Sequence, residues 1–227
     1  MSAGGNGSAG AACLPRVAVL DAGTGNLHSV ARAVVRAGGE PVVTVDPREA
    51  AGTDALVLPG VGAFDACAGA LRMCGLDEPV LAFAAAGRPV LGVCLGMQVL
   101  FDGSEEGDAP GLGLFPGVAV RLPGGPGAKV PHMGWNEVRW LRPHPLAAGV
   151  ADGARMYFVH SYAVPLPSPA AVGAADHGMA FAAAVASGSV FATQFHPEKS
   201  GAAGLAIYDA FVAAARQALE MRVGGGP

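Results

Sequence analysis

The sequence predicts an α/β fold, in which a mostly parallel open sheet carries helices on both faces and gains antiparallel strands in its C-terminal half. Two observations support this prediction. In the first half, apolar runs of five or six residues alternate with segments of helical spacing, the pattern of parallel strands that are covered on both sides. In the second half, candidate strands follow one another without long helices between them, which favours antiparallel pairing.

The first predicted strand is Arg16–Leu20, a short apolar run that ends at a glycine-containing turn. A helix at 27–37 should follow, because apolar residues recur there at helical spacing, Asn26 stands at the capping position and Gly38 stops the pattern. The same alternation continues to residue 101. The further strands are predicted at 41–45, 55–59 and 88–93, and the further helices at 64–75, 79–87 and 95–101.

The second half begins with a loop at 103–116, which is rich in Gly, Pro and acidic residues. The strands predicted after it are 117–122, 136–140, 154–162, 180–186 and 189–195. An amphipathic helix at 200–220 closes the fold, and its apolar face carries Leu205, Tyr208, Phe211, Val212 and Ala215. We expect a single domain at 15–220, between flexible tails at 1–14 and 221–227.

Composition excludes several classes of protein. The chain is 52% hydrophobic and only 14% charged, unlike disordered chains, and a net charge of −4 argues against nucleic acid as the main partner. The four cysteines lack zinc-type spacing, so we expect free thiols, no metal site and a reducing compartment. The apolar stretch 89–101 is too short to span a bilayer, and the first fifteen residues do not resemble a signal peptide. The sequence therefore predicts a cytoplasmic protein without membrane association.

Gly92-Val93-Cys94-Leu95-Gly96 is the strongest chemical signal, because a predicted strand enters it and a predicted helix leaves it. A nucleophile between two glycines in that context is typical of a nucleophile elbow, which exposes the side chain at the edge of the sheet. A helix start beside the sulfur favours the reactive thiolate. The alternative is a buried, inert cysteine at a glycine-rich helix start.

A second signal is Gln194-Phe195-His196-Pro197-Glu198, at the end of a predicted strand. Pro197 disfavours a helical conformation at His196, and in an extended chain residues two apart point the same way. His196 and Glu198 can therefore lie side by side, as a base and its orienting acid, and complete a Cys–His–acid triad with Cys94. The alternative is a strand end with an unrelated histidine and glutamate.

A third signal is the segment 58–64, in which a strand ends and Gly60 and Gly62 flank Val61. Such a loop can turn a backbone N–H towards the elbow and form an oxyanion hole with the N–H of Leu95. The alternative is an ordinary Pro-Gly turn. The turn at 21–26 lacks the phosphate-binding motifs, so a tight strand-to-helix turn is favoured there.

These motifs resemble those of the class I (triad) glutamine amidotransferases. GVCLGMQ around Cys94 and QFHPEKSG around His196 match the two signatures of that family, in the expected order, about 100 residues apart. Within the family, the sequence is most similar to the glutaminase subunits of imidazole glycerol phosphate synthases of histidine biosynthesis. The distinguishing stretches are PGVGAF (59–64), GLGLFPG (111–117), VPHMGWN (130–136) and YFVHSY (157–162).

The resemblance implies a flavodoxin-like fold, no cofactor, and hydrolysis of L-glutamine to glutamate and ammonia through a thioester on Cys94. It implies that His196 is the general base and acid, that Glu198 orients it, and that the ammonia is channelled to a (β/α)8-barrel synthase (cyclase) subunit in a heterodimer. The cyclase would then form imidazole glycerol phosphate and an aminoimidazole carboxamide ribotide. The residues that the resemblance assigns to the oxyanion and substrate site are Gly60, Val61, Gly62, Leu95, Gln98, His160 and Ser161. Those it assigns to the partner interface are Asn26, Pro131, His132, Met133, Gly134, Trp135 and Lys199.

One departure from the family pattern is Ala22, which stands where an aromatic residue is usual and leaves the packing near the interface open. Other functions remain possible from the motifs alone. The chain could be a glutaminase that serves a different synthase, or a cysteine-dependent γ-glutamyl hydrolase or peptidase. A binding module with an inactive site is disfavoured by the intact set of Cys94, His196 and Glu198.

Overall fold

The computed structural model describes residues 13–23 and 25–224, which form twelve strands and six α-helices. The strands are β1 (Arg16–Leu20), β2 (Glu40–Thr44), β3 (Ala55–Gly60), β4 (Val90–Cys94), β5 (Phe101–Ser104), β6 (Phe115–Arg121), β7 (His132–Trp140), β8 (Ala154–His160), β9 (Tyr162–Ala163), β10 (Ala171–Asp176), β11 (Ala180–Ser187) and β12 (Val190–Thr193). The helices are α1 (Leu27–Arg36), α2 (Pro47–Ala51), α3 (Phe64–Met73), α4 (Asp77–Ala85), α5 (Leu95–Val99) and α6 (Gly201–Gly224).

Nine of these strands form one sheet in the order β2-β1-β3-β4-β12-β11-β10-β7-β8. The strands from β2 to β12 run parallel, and the remaining pairs in the sheet are antiparallel. The predicted α/β class is therefore confirmed. One strand differs from the prediction: β12 is parallel to β4, and only its contact with β11 is antiparallel. This placement brings the end of β12 beside the end of β4.

A second, three-stranded sheet has the order β5-β6-β9 and contains two departures from the prediction. The strand predicted at 117–122 joins this small sheet instead of the large one, and both ends of the loop predicted at 103–116 belong to strands. Burial explains the difference, because Phe101 and Phe115 are fully buried with ring centroids 5.3 Å apart. Their packing holds β5 and β6 together although the sequence between them is typical of a loop.

Helices cover both faces of the large sheet, as the side-chain alternation of β1 shows. Val17 and Val19 belong to one hydrophobic cluster, together with residues of α1 and α6. Ala18 and Leu20 belong to the other, together with residues of α2, α3, α4 and α5. The predicted apolar face of α6 is confirmed: Tyr208, Phe211, Val212 and Ala215 are buried, and Leu205 is partly buried against the same cluster.

Besides β5, the elements α2 and β10 were not predicted, and one helix ends later than expected. Helix α2 has only five residues, and its signal is Asp46, whose side chain accepts from the N–H of Arg48. Strand β10 consists mostly of alanine and glycine, which give little strand signal. Helix α6 runs past the predicted end at 220 to Gly224, and Arg222 binds Asp54 at 2.7 Å. Of the predicted tails, residues 1–12 and 225–227 lie outside the described part of the chain.

Asn26 precedes α1 but forms no side-chain capping hydrogen bond, so its predicted role as a cap is wrong. None of the helices within residues 13–23 and 25–224 is both long and apolar enough to cross a membrane.

Candidate active site

Cys94 is the last residue of β4 and immediately precedes α5. Its backbone has φ 56° and ψ −111°, and among residues 13–23 and 25–224 it alone has a positive φ without being glycine. Such strain persists only where the surroundings over-determine it. Here a Cβ on Gly96 would collide with the carbonyl oxygen of Leu58, so the start of α5 packs directly on β3. The structure thus forms the strained strand-to-helix turn of a nucleophile elbow.

His196 lies beside this elbow because β12 pairs with β4, with Thr193 opposite Val93. His196 is extended, and Pro197 opens a short 3₁₀ turn that returns Glu198 to the same side. The His196 Nδ1 and Glu198 Oε1 atoms are 2.8 Å apart, and their side chains are only 3% and 1% exposed. The extended conformation and the proline therefore place the imidazole against the carboxylate, as the sequence spacing predicts.

The surroundings of His196 favour the imidazolium form. Burial lowers the pKa of His196, but the neighbouring Cys94 sulfur and the Glu198 carboxylate, which is hydrogen-bonded to Nδ1, outweigh it and raise the pKa to about 10. The ring is therefore protonated at neutral pH, and Nδ1 donates to Glu198. Nε2 is buried and meets no hydrogen-bond partner within the described residues. A protonated imidazole beside the sulfur is suited to stabilise a thiolate and then to donate a proton to a leaving group.

A pocket of about 330 Å³ opens over Cys94. Six of the seven residues predicted for the oxyanion and substrate site line it, namely Val61, Gly62, Leu95, Gln98, His160 and Ser161. The seventh, Gly60, does not line the pocket: it pairs with Cys94 at the end of β3, and a Cβ there would lie 2.8 Å from the backbone nitrogen of Gly96. Gly60 therefore lets the two strand ends approach closely, while Gly62, at φ +99°, turns the chain at the pocket edge.

Gln98 is only 3% exposed, and both N–H groups of its amide are occupied within the protein. Nε2 donates to the carbonyl oxygen of Tyr162 at 2.9 Å and to Oε1 of Gln194 at 3.0 Å. Because the donors are used, Oε1 is the atom of this amide that remains to meet a ligand. Gln98 is thus suited to accept a hydrogen bond from an ammonium group rather than to bind a carboxylate.

Glu106 also lines the pocket, although its sequence pattern does not predict a functional role. Its Oε2 accepts a hydrogen bond from the backbone N–H of Phe64, the first residue of α3, at 2.8 Å. This bond anchors the carboxylate at the pocket wall. The residue belongs to the stretch predicted as a loop, and the adjacent acidic pair 105–106 was its only signal, because a local pattern does not indicate which distant element a loop contacts.

Two buried histidines lie side by side at the pocket, His160 in its lining and His132 behind it. His132 Nδ1 and His160 Nε2 are 3.0 Å apart, and His160 Nδ1 is 2.8 Å from the carbonyl oxygen of Tyr162. Burial lowers the pKa of His132 to about 4 and that of His160 to about 3, so both rings are neutral at pH 7. His132 was predicted to face the partner, but it is only 4% exposed because the alternation of β7 turns it inward.

The other predicted interface residues lie at or near the surface. Met133 and Trp135 are 64% and 49% exposed, and Gly134 between them adopts φ +132°. Pro131 is exposed and lines the pocket, so this segment borders the opening above Cys94. Two further residues were assigned to the interface: Lys199 is exposed with Nζ 5.8 Å from the centre of the Tyr157 ring, and Asn26 is half-buried.

Known proteins share both the fold and the sequence. A family model described as glutamine amidotransferase class-I matches residues 18–214. Solved structures of a GMP synthase protein from Thermoplasma acidophilum and of PurLQS from Thermotoga maritima each superpose with a TM-score of 0.69, at 18% and 19% identity. They cover 93% and 88% of this chain, and 98% and 99% of their own chains are matched.

Curated relatives are much closer in sequence. The imidazole glycerol phosphate synthase subunit HisH of Aromatoleum aromaticum is 49% identical over 207 residues, which cover 86% of this chain and 97% of that protein. The protein of the same name from a Synechococcus strain is 47% identical over 200 residues, covering 87% of this chain and 93% of its own length. The chain therefore belongs to the class-I glutamine amidotransferases and, within them, to the family of the imidazole glycerol phosphate synthase subunit HisH.

Proposed function

We propose that this chain is the glutaminase subunit of an imidazole glycerol phosphate synthase and hydrolyses L-glutamine to glutamate and ammonia. The observation that carries this proposal is the buried set of Cys94, His196 and Glu198, with Cys94 lining a pocket, in a chain that belongs to this family. The pocket volume of about 330 Å³ suits a small amino acid.

The reaction begins with attack of the Cys94 sulfur on the side-chain carbonyl carbon of glutamine. The developing oxyanion is held by the backbone N–H of Leu95 and by N–H groups of the segment 60–62. His196 is protonated at neutral pH and donates its proton to the amide nitrogen, so the carbon–nitrogen bond breaks and ammonia leaves. Water, activated by the now neutral His196, attacks the γ-glutamyl thioester and releases glutamate.

The amino-acid end of glutamine binds at the opposite wall of the pocket. Oε1 of Gln98 and the free carboxylate oxygen of Glu106 are acceptors on lining side chains, and both suit the substrate α-ammonium group. Because both groups accept hydrogen bonds and Glu106 is negatively charged, the site binds a substrate with a free α-amine better than one whose α-amine is acylated. The site therefore favours free glutamine over an internal residue of a peptide.

The ammonia passes to the cyclase partner, which is a (β/α)8 barrel that forms a heterodimer with this chain in the cytoplasm. The segment 131–135 provides the docking surface, because Met133 and Trp135 are exposed apolar side chains at the mouth of the pocket. Lys199 and Asn26 extend it. A partner seated there would close the pocket and give ammonia a path that avoids protonation in bulk water. No cofactor and no nucleic acid takes part in this scheme.

A cysteine-dependent γ-glutamyl hydrolase or peptidase on the same fold is the main rival function. It predicts turnover of γ-glutamyl peptides by the isolated chain, without a partner. The Glu106 carboxylate argues against a peptidase that acts on internal residues, because the acylated nitrogen of such a residue carries no positive charge. A γ-glutamyl peptide keeps a free α-amine, so turnover of glutamine against a γ-glutamyl peptide separates the remaining rival.

The deciding experiment measures ammonia release from glutamine by the full chain, alone and with the cyclase subunit carrying its nucleotide ligand. We expect low activity alone and a large rise in the complex. Cys94→Ala should abolish ammonia release while leaving binding of the cyclase subunit intact, as co-purification would show. Full activity of the chain alone, or turnover near wild type in Cys94→Ala, would contradict the proposal.

A further inference from the structure

Gln194 contacts the candidate nucleophile although it has no part in the mechanism above. It follows the last residue of β12, is fully buried, and is not among the residues that line the pocket. Its Nε2 atom lies 3.8 Å from the sulfur of Cys94, within hydrogen-bonding reach of a sulfur acceptor. Gln194 therefore touches the reacting atom from the protein interior, on a side that substrate does not reach.

The network around Gln194 determines which of its amide atoms faces the sulfur. The carbonyl oxygen of Tyr162 can only accept, so the terminal atom of Gln98 that lies 2.9 Å from it must be the nitrogen. The second N–H of that nitrogen points at Gln194, 3.0 Å away, and requires an acceptor there. Oε1 of Gln194 is consequently turned to Gln98, and its N–H group is turned to Cys94.

The sulfur has a second contact of opposite character. The carbonyl oxygen of Val159 lies 3.7 Å from it and can accept a hydrogen bond only from the protonated thiol. The N–H of Gln194 can instead donate to the thiolate. Loss of the thiol proton therefore removes the contact with Val159 and strengthens the contact with Gln194, because hydrogen bonds to charged groups are the stronger ones.

Burial makes such a donor important. Cys94 is only 5% exposed, so few water molecules can reach a negatively charged sulfur there. His196 stabilises this charge before attack, but it must give its proton to the leaving group, whereas an amide N–H keeps its proton throughout the reaction. A fixed neutral donor thus supports the anion without taking part in proton transfer.

We propose that Gln194 is a positioning residue that holds the Cys94 sulfur as a thiolate. A hydrogen bond from Gln98 orients the Gln194 amide for this role. This inference rests on the proposed function, since it deepens the role of the same nucleophile. It assigns the Gln98 side chain two tasks, because one N–H of its amide orients Gln194 while its oxygen faces the substrate.

The test compares Gln194→Met with the wild-type chain. Methionine has nearly the same length but no N–H, so the thiolate loses its donor. The rate at which iodoacetamide alkylates Cys94 is measured against pH by mass spectrometry of the Cys94 peptide, which separates it from the other cysteines. We expect the midpoint of that profile to move upward by roughly one to two pH units, the size of a lost hydrogen bond to a charged group.

Turnover in the complex with the cyclase subunit gives a second readout. The kcat for glutamine hydrolysis should fall roughly 10- to 100-fold at neutral pH, with partial recovery at alkaline pH. A change in KM reports separately on Gln98, which lines the pocket and loses its acceptor in Gln194→Met. A merely structural role would not give recovery with pH. Thr193→Val is the matched control, since Thr193 is the buried neighbour on β12 whose hydroxyl binds the carbonyl oxygen of Phe195 and not the sulfur.

A second variant decides the question if Gln194→Met does not fold. Gln194→Glu keeps an acceptor for Gln98 and, as a carboxylate, places an oxygen against the sulfur, so the alkylation midpoint must again move upward. An unchanged midpoint in the folded variant overturns the inference. These outcomes are distinct from failure of the proposed function, which would appear as absent glutamine turnover by the wild-type complex.

Discussion

The hydrogen-bond partners of the buried histidines at the candidate site determine which ring is charged. His196 is held as an imidazolium between the sulfur of Cys94 and the carboxylate of Glu198, whereas His160, which lines the pocket over Cys94, is neutral. The difference arises because His160 meets no carboxylate and hydrogen-bonds to a carbonyl and to another histidine. At the residue scale, therefore, function depends on which buried histidine has an acidic partner.

Glu198→Gln tests that partnership. The amide can still accept from Nδ1 of His196, but it lacks the negative charge that helps to raise the pKa of the ring to about 10. His196 will then lose its proton at lower pH, so the alkaline decline of kcat in the complex should move to lower pH. By analogy with other triads, kcat at neutral pH should fall roughly 10²- to 10⁴-fold. An unchanged pH profile would contradict the role of Glu198, and Glu49→Gln on the exposed side of α2 is the control.

Glu106→Gln tests the proposed site for the substrate ammonium group. The variant should keep the hydrogen bond from the N–H of Phe64 but lose the charge, so KM for glutamine should rise roughly 10- to 100-fold with little change in kcat. Glu105→Gln is the matched control, because the Glu105 carboxylate accepts from the N–H of Arg121 and does not line the pocket. Equal effects of the two substitutions, measured by steady-state kinetics, would refute the assignment.

The site lies where neighbouring elements of the large sheet end together. Strand β3 brings the segment 60–62, β4 brings Cys94 and β12 leads to His196, and the three strands are adjacent and parallel. The carboxyl ends of adjacent parallel strands meet at one edge of a sheet. The short helix α5 packs so closely on β3 that glycine is required at position 96, and this contact maintains the strained backbone of Cys94.

Gly96→Ala should therefore disrupt the packing of α5 on β3 and, with it, the turn that carries Cys94. The added methyl group would collide with the carbonyl oxygen of Leu58, and the free energy of unfolding should fall by about 1–3 kcal/mol. Urea denaturation measures this loss, and ammonia release should fall with it. Gly69→Ala is the matched control, since a Cβ added there, in the middle of α3, meets no described atom within 4 Å apart from the backbone of its own helix and its chain neighbours. That substitution should stabilise the chain by about 0.5–1 kcal/mol, and a similar destabilisation at both positions would contradict the explanation.

On the scale of the whole molecule, an exposed apolar surface lies beside the pocket. Met133 and Trp135 are exposed on β7, and Trp135 contacts Tyr157 of β8 edge-on, with ring centroids 6.0 Å apart. The neighbouring His132 turns inward and binds His160 on the pocket wall. The proposed docking surface and the pocket share Pro131, just before β7, so a partner that covers the segment 131–135 also covers the opening above Cys94.

Trp135→Ala should weaken binding of the cyclase subunit. Loss of a large aromatic anchor typically costs about 2 kcal/mol or more at an interface, which raises Kd roughly 30-fold. Isothermal titration calorimetry with the purified cyclase subunit measures the change. Leu141→Ala is the control, because Leu141 is similarly exposed at 53% but follows the opposite end of β7. Equal weakening by both substitutions would place the interface elsewhere.

The sequence by itself determined the features that depend on neighbours along the chain. Apart from the short helix α2, the order of strands and helices up to residue 99 follows from local spacing, because glycine, proline and apolar periodicity act over a few residues. The turn at Cys94 and the juxtaposition of His196 with Glu198 follow for the same reason. The apolar face of α6 follows for the same reason. The family resemblance then assigned a function to these motifs.

Only the tertiary structure decided which distant segments meet. It placed β12 parallel to β4, brought Glu106 to the pocket, turned His132 inward and set the N–H of Gln194 against the sulfur of Cys94. These contacts join residues that are far apart in sequence, such as Gln194 and Cys94, so no local pattern encodes them. They are selected by burial and by the requirement that each buried donor and acceptor find a partner, a condition that is met only when the whole chain has packed.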